Sequence, residues 1–161
     1  SNIDEMWTRL SQHRGRAARP GGNHRGSIFR LLVGEALANR DASLAVATWG
    51  QGNTASRETR DLEQRLEAEV SRHIGQMRIL WLPVEDDPGP DSLRGVIERN
   101  LIALLSEWNA QPVDPPSPDW LGRFSSRERV RRSGLWNNNH VDEAYDPAVL
   151  DLLEDMVGRL G

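Results

Sequence analysis

Glu98 is the carboxylate whose place in the sequence most directly suggests chemistry. It lies in a predicted helix that follows an acidic turn, and Leu93, Ile97 and Leu101 give that helix an apolar side. Glu98 falls inside this apolar arc, so we expect its carboxylate to be partly desolvated and to need a partner. Two interpretations stay open: an ion pair with Arg94 one turn earlier, or a metal ligand or general base that faces a cleft.

Histidines are the other residues that could transfer protons. The four in the chain are His13, His24, His73 and His140. No two of them have the spacing of metal ligands on one helix, and a phosphate-binding loop, a dinucleotide fingerprint, a serine nucleophile elbow and an H-E-x-x-H motif are all absent from the sequence. His140 follows Trp136 and three asparagines that begin at Asn137. This segment either lines a site or forms a turn closed by asparagine side chains.

Positive charge is concentrated in two segments, although the net charge is −4. Residues 9–30 carry arginines without any acid, and residues 123–132 carry arginines with Glu128 as their one acid. Such segments suit contacts with the phosphate backbone of a nucleic acid that do not read its sequence. Solvated helix faces and loops explain them equally well.

Apolar segments predict the elements that must position these residues. Three short apolar runs predict β-strands, at residues 27–33, 44–49 and 78–84. Residues 35–40, between the first two runs, are either a helical turn or a hairpin loop, and the glycine- and arginine-rich residues 15–26 are predicted to be an exposed loop. The predicted helices lie at residues 3–10, from Ser56 to about Ile74, at 92–105, in the basic run that ends at Ser133, and from Asp146 onward.

The helix after Ser56 has a regular apolar repeat. Leu62, Leu66, Val70 and Ile74 recur at every fourth position, and the charged residues are expected on its other faces, at Arg57, Arg60, Glu63 and Glu67. Together the elements predict an α+β fold, with a small, mainly antiparallel three-stranded sheet flanked by helices and an added C-terminal helical tail.

Length and composition limit the class of protein. A chain of 161 residues suits a single domain with a real core. No apolar run is long enough to span a bilayer, and no secretory signal is visible, so we expect a cytoplasmic protein that does not bind membranes. Cysteine is absent, which excludes disulfides and thiolate metal sites.

Several short segments, taken in chain order, resemble the GIY-YIG nuclease superfamily. They are Gly26-Ser27-Ile28-Phe29, then Thr48-Trp49-Gly50, then a helix with Arg57 and Arg60, and a later helix with Glu98. The resemblance covers about residues 26–105 as a core. It leaves an N-terminal helix and basic loop at 1–25 and a C-terminal extension at 106–161, all within one GIY-YIG-like domain at 1–161.

The resemblance implies a function and roles for particular residues. It implies a divalent-metal-dependent endonuclease acting on DNA, with Mg²⁺ or Mn²⁺ held by Glu98. Arg60 would contact the scissile phosphate, with Arg57 as the alternative. Nucleic-acid contacts are expected from a further set of residues: Arg25, Arg127, Arg131, Arg132, Asn137 and His140. RNA as a substrate and a homodimer are left open.

The chain departs from the family at both motif tyrosines. Phe29 and Thr48, with Trp49 beside it, stand where the family usually carries tyrosine. Phe29 cannot accept a proton, so catalysis would have to proceed through His73 or His140. The alternative is a catalytically inactive nucleic-acid-binding or protein-interaction module of the same fold.

Overall fold

The computed structural model describes residues 2–15, 21–84, 86–87, 89, 92–108 and 114–159. These residues form α-helices and short 3₁₀ helices, and no β-strand is found among them. The α-helices are α1 (Asn2–Arg14), α2 (Ile28–Arg40), α3 (Arg57–Gly75), α4 (Leu93–Leu105), α5 (Glu128–Ser133) and α6 (Ala148–Gly158). The 3₁₀ helices are His24–Gly26, Ala42–Leu44 and Leu121–Phe124.

The predicted α+β fold is therefore wrong, and the first predicted strand shows why. Residues 28–33 begin α2, because Ser27 caps this helix by accepting a hydrogen bond from the backbone N–H of Arg30 at 3.2 Å. The buried residues Leu32, Val33 and Ala36 share one face of the helix. A short apolar run fits a buried helix as well as a strand, and here the helix continues through residues 35–40.

The other two predicted strands are also absent. Residues 42–49 form a 3₁₀ helix and a turn, in which the Trp49 N–H donates to the Val46 carbonyl at 3.0 Å. These local hydrogen bonds use the backbone groups that a sheet would need. Residues 78–84 have no regular secondary structure, and Leu80 is 99% exposed.

The predicted helices are confirmed, and their capping residues explain where they begin. Ser56 accepts from the Thr59 N–H at 3.2 Å to start α3, and Ser92 accepts from the Gly95 N–H at 3.1 Å to start α4. The Asp146 carboxylate accepts from the Ala148 N–H at 3.0 Å at the start of α6.

The segment predicted to be an exposed loop is partly buried. Residues 16–20 lie outside the described residues, but His24 is only 3% exposed and begins a 3₁₀ helix. The contacts that bury His24 are described below with the candidate site.

The chain divides into two compact units. The first consists of Ser1–Arg78 and Asp119–Arg127, and the second of Ile79–Pro118 and Glu128–Gly161. In the first unit α2 packs against α3 and against the 3₁₀ helix Leu121–Phe124, around a core that includes Val33, Leu66 and Val70.

The second unit has a smaller apolar core, and hydrogen bonds connect its segments. Its buried apolar residues are Ile97, Val130, Val141 and Val149. The Ser106 hydroxyl donates to the Val141 carbonyl at 2.5 Å, and the Asp146 N–H donates to Asn100 Oδ1 at 2.7 Å. In the described parts of both units, no helix has the length and apolar character needed to cross a bilayer.

Trp49 packs directly over Gly34 of α2, and this contact can be tested. A Cβ atom at Gly34 would lie 2.1 Å from Trp49 Cζ2, so alanine cannot fit unless the ring moves. We expect Gly34→Ala to lower the free energy of unfolding by about 1–3 kcal/mol, as overpacking typically does. This loss would occur although alanine favours a helix interior by about 1 kcal/mol over glycine. Urea denaturation measures the change.

Gly75→Ala is the matched control in α3. The nearest atom to a Cβ at Gly75 is Arg14 Nε at 3.9 Å, so this substitution should be tolerated. Equal stabilities of the two alanine variants would contradict the packing of Trp49 on Gly34.

Candidate functional site

The most completely bonded polar group of the first unit is the Glu67 carboxylate on α3. Its Oε1 accepts from the His24 backbone N–H at 2.7 Å and from His24 Nδ1 at 3.0 Å. Its Oε2 accepts from Arg30 Nε at 3.2 Å and also from Arg30 Nη2. Because His24 Nε2 accepts from the Gly50 N–H at 3.2 Å, the His24 ring carries its proton on Nδ1.

Arg30 is fully buried and has a partner at every nitrogen of its guanidinium group. Besides Glu67, it donates to the Glu67 carbonyl at 3.1 Å, to Ser71 Oγ at 3.0 Å and to the His13 carbonyl at 3.0 Å. The side chain therefore joins α1, α2 and α3. These contacts make it a structural residue.

Glu63 lies one turn before Glu67 and holds a second ion pair. Arg25 donates to its two oxygens at 2.6 and 2.8 Å, and the Thr48 hydroxyl donates to Oε1 at 2.8 Å. Arg25 Nη2 also donates to the Gln51 carbonyl at 3.2 Å, while Arg25 Nε is buried without a hydrogen-bond partner. The predicted phosphate contact of Arg25 thus requires this pair to break.

Both carboxylates are held in their ionised forms. The Arg25 guanidinium lowers the pKa of Glu63, and Glu63 in turn raises the pKa of Arg25. Burial acts to raise the pKa of Glu67, but hydrogen bonds from His24 and Arg30 outweigh it and lower that pKa.

Aromatic rings close the site on one side. Trp49 stacks on the His24 ring with centroids 3.8 Å apart, and its Nε1 donates to the Leu31 carbonyl at 3.1 Å. Phe29 contacts the His13 ring edge-on, with centroids 6.0 Å apart. Three predicted site residues, Arg25, Thr48 and Trp49, are thus brought together around Glu63 and His24.

The two arginines predicted to contact the scissile phosphate are exposed at the start of α3. Arg60 donates through Nε and Nη2 to the Ala55 carbonyl, at 3.1 and 2.9 Å. Arg57 makes no hydrogen bond or ion pair with the described part of the chain. His73 lies on the same helix about 20 Å from Arg60 along the axis, too far to act on the same phosphate. Burial, followed by the charge of Arg40, lowers the pKa of His73.

Glu98 is exposed on α4, so the expectation of a desolvated carboxylate is wrong. Of the apolar residues on this helix only Ile97 is buried, and the predicted apolar arc is partly open to solvent. Of the two interpretations left open for Glu98, the ion pair with Arg94 is not formed, since Arg94 pairs with Asp86 at 3.2 Å. Glu98 belongs to the second unit, whereas the other predicted catalytic residues belong to the first.

The donor set tests whether Glu98 fits a divalent metal ion. Within the described residues, no three His, Asp or Glu side chains come together as a metal centre. Mg²⁺ does accept sites in which one or two carboxylates are completed by water and substrate phosphates. Glu98 is exposed and makes no hydrogen bond or ion pair with the described residues, so it fits a site of that open kind.

The C-terminal candidates lie in α5 and in the segments on either side of it. Arg132 lies over the Trp108 ring at 3.7 Å from its centroid, and Arg131 is exposed on the same helix. Arg127, the last of these basic candidates, belongs to the first unit and is half-buried. The side-chain oxygen Oδ1 of Asn137 accepts from the backbone N–H groups of Asn138 and Asn139 at 2.7 and 3.1 Å.

Asn137 therefore closes a turn, and His140 comes at the end of it. His140 Nδ1 lies 2.8 Å from Glu143 Oε1, and Arg99 Nε donates to Glu143 Oε2 at 2.5 Å. The bond from His140, followed by that from Arg99, lowers the pKa of Glu143.

Sequence reasoning missed the buried acids of α3 and their partners. Glu63 and Glu67 were expected on polar faces, but both are buried, whereas Leu62 is 66% exposed. The sequence did carry one signal of this burial. Glu63 and Glu67 are three or four residues from Leu66 or Val70, which places both carboxylates beside the apolar face of α3. His24 and Arg30 gave no such signal.

Removing one partner of the buried Arg30–Glu67 pair should be costly. We expect Glu67→Ala to lower the free energy of unfolding by about 3–5 kcal/mol, because Arg30 is then left buried and unpaired. Glu69→Ala on the same helix is the control, since Glu69 pairs with Arg72 near the surface and should cost about 1 kcal/mol or less. Chemical denaturation of both variants measures the difference, and similar losses would argue against a structural role for Glu67.

His13 makes the stability of the first unit depend on pH. Ser27 Oγ lies 2.7 Å from His13 Nδ1 and also accepts from the Arg30 N–H. Burial, then Arg9 and Arg30, lower the pKa of His13 below its ordinary 6.5. Between the lowered pKa of His13 in the folded protein and the ordinary value of 6.5, the unfolded chain binds more protons than the folded protein. The free energy of unfolding therefore falls as the pH drops through this range.

We expect the unfolding free energy to be highest above about pH 7 and to decline toward about pH 5. His13→Gln should weaken this decline, and the remaining part should come from His73, whose pKa is lowered too. Urea denaturation at several pH values provides the measurement. An unchanged pH dependence in His13→Gln would show that His13 is not held neutral.

The family to which the chain belongs follows from comparison with known proteins. A family model described as GIY-YIG domain matches residues 2–160, which extends well beyond the 26–105 segment that carries the resemblance. No curated protein and no solved structure matches the chain. The family prediction is thus confirmed while the fold prediction is not. The chain belongs to the GIY-YIG domain family, which is a family of nuclease type.

Proposed function

We propose that this protein is an endonuclease that hydrolyses phosphodiester bonds of DNA and depends on a divalent metal ion, Mg²⁺ or Mn²⁺. The observation that carries the proposal is the family match over residues 2–160. Hydrolysis of a phosphodiester requires positive charge at the phosphate oxygens and an activated water. A divalent ion at Glu98 would supply part of that charge when bound.

The start of α3 supports a phosphate contact. Arg57 is exposed there and has no partner among the described residues, next to a helix N-terminus that favours negative charge. Two nitrogens of Arg60 already donate hydrogen bonds to the Ala55 carbonyl. We therefore favour Arg57 over Arg60 as the residue that binds the phosphate.

Flanking phosphates would be bound by the exposed arginines of α5. Arg131 and Arg132 are neighbours there, and Arg132 is held in place by the Trp108 ring. Contacts of this kind position DNA without reading its sequence. Arg25 would contribute only by leaving Glu63.

A catalytically inactive nucleic-acid-binding module is the second candidate. It is favoured by the two motif positions, since Phe29 has no ionisable group and the Thr48 hydroxyl is committed to Glu63. Neither can take a proton from water. Such a module would bind DNA with an affinity that falls steeply with salt, and without a metal requirement.

Nicking of supercoiled plasmid separates these two candidates. We expect the wild-type protein to nick the plasmid in Mg²⁺ or Mn²⁺, and a chelator to abolish nicking. Glu98→Ala should reduce the rate by about 100-fold or more, as loss of one electrostatic group at a reacting phosphate does. Arg57→Ala should lose more activity than Arg60→Ala.

Glu154→Ala is the control for Glu98→Ala, because Glu154 is an exposed carboxylate of α6 in the same unit. Salt-dependent binding of a labelled duplex without any nicking would favour the inactive module. Nicking that survives the chelator would rule out the metal dependence, and an RNA duplex run in parallel tests the choice of DNA.

A further inference from the structure

Three side chains of the second unit form a cluster to which the motifs assign no combined role. Glu143 lies in its centre, with His140 on one carboxylate oxygen at 2.8 Å and Arg99 of α4 on the other at 2.5 Å. The cluster therefore combines an imidazole, a carboxylate that orients it, and a guanidinium within one shared set of hydrogen bonds.

The backbone at His140 is strained. Its φ is 59°, and no other residue except glycine has a positive φ in the described part of the chain. A histidine in this left-handed region is uncommon, and the surrounding structure must hold it there. The turn closed by Asn137 and the hydrogen bond from the Glu143 N–H to the His140 carbonyl at 3.3 Å do so.

The hydrogen bonds determine which ring nitrogen of His140 is available to accept a proton. An ionised carboxylate only accepts, so His140 Nδ1 carries the proton that Glu143 Oε1 receives. In the neutral imidazole Nε2 then carries the lone pair, and Nε2 makes no hydrogen bond with the described residues. The side chain is 37% exposed, so water can reach it. A general base oriented by a carboxylate has this arrangement.

Arg99 places a positive charge on the other side of the same carboxylate. Its Nε is used by Glu143, while the outer nitrogens of its largely exposed side chain make no described contact. Arg99 also lines a cleft of about 360 Å³ together with Asn100 and Tyr145, the single tyrosine of the chain. A guanidinium so placed suits the oxygens of a phosphate group.

We propose that His140, oriented by Glu143 and beside Arg99, is the general base that activates water for hydrolysis of a nucleic-acid phosphodiester. This inference rests on the proposed nuclease function and assigns the proton acceptor that Phe29 and Thr48 do not supply. His140 Nε2 takes a proton from water as the water oxygen forms a bond to phosphorus. The P–O bond to the leaving sugar oxygen breaks with its electron pair, that oxygen takes a proton from solvent, and His140 returns its proton to solvent.

Asparagine and glycine are the informative replacements for His140. Both tolerate a positive φ, so His140→Asn and His140→Gly should fold with the same turn. We expect either variant to nick plasmid about 100-fold more slowly or worse, with little change in KM, because a general base contributes that much to the chemical step. Added imidazole should restore part of the rate to His140→Gly only.

Glu143 is a positioning residue and needs a different readout. Glu143→Gln should lower kcat by about 10-fold or more and shift the His140 ring proton between its two nitrogens, which ¹⁵N NMR of the imidazole detects without any activity. Glu154→Gln on α6 is the matched control and should change neither quantity.

The outcomes separate this inference from the proposed function. A wild-type protein that does not cut would contradict the nuclease function, and the assignment of a base would fall with it. A protein that cuts, but does so equally fast in His140→Asn and without any rescue of His140→Gly by imidazole, would overturn the assignment of His140 alone. If the turn at His140 has only a structural role, His140→Asn should cut as fast as the wild-type protein but should be less stable.

Discussion

The buried Glu67 carboxylate is the group on which the first unit depends. One of its oxygens binds His24 and the other binds Arg30, so it connects the segment before α2 with α2 and α3. Arg30 extends the connection to α1 through the His13 carbonyl. A buried charge pair is tolerated only when its remaining hydrogen-bonding groups are satisfied, and here Ser71, the Glu67 carbonyl and the Gly50 N–H complete the set. Loss of the Glu67 carboxylate would leave the Arg30 guanidinium buried without its counter-charge.

This constraint decides which motif residues are available for chemistry. Fixing His24 also fixes Trp49, which stacks on it, and the neighbouring Glu63 holds Arg25 and Thr48. These residues lie where a family resemblance would place catalytic groups, but their hydrogen bonds point inward. Arg57, Glu98 and His140 differ because their functional groups are exposed or have a free nitrogen. An inward-facing network thus holds the first unit together, and it is distinct from the exposed groups that can contact a phosphate.

The sequence predicted some features of this protein and not others, for identifiable reasons. Helices with side-chain caps were predicted well, because Ser56, Ser92 and Asp146 each carry the local signal that starts a helix. The strand predictions were wrong because an apolar run of six or seven residues fits both a strand and a buried helix, and Ser27 is itself a helix-capping residue. The family was identified correctly because the order of motif residues along the chain does not depend on the fold class.

The candidate site was only partly accessible to sequence reasoning. The asparagine-rich segment before His140 was recognised as unusual, and both of its interpretations are relevant, since the segment forms a turn that also orients a histidine. Glu143 follows His140 by three residues, but Arg99, which donates to the same carboxylate, comes from α4, 44 positions earlier than Glu143, and gave no local pattern. The pairing of Glu67 with His24 and Arg30 is of the same kind, because long-range contacts determine it.

The central claim is that the arginines of this protein fall into an inward-facing structural set and an exposed set that can contact phosphate. NMR of the arginine Nε–H groups during titration with a short DNA duplex tests it most directly. We expect the signals of Arg57, Arg99 and Arg132 to shift on binding, while those of Arg25 and Arg30 keep their positions and their slow exchange with solvent. A shift of Arg25 or Arg30, with loss of its contact to Glu63 or Glu67, would contradict the account.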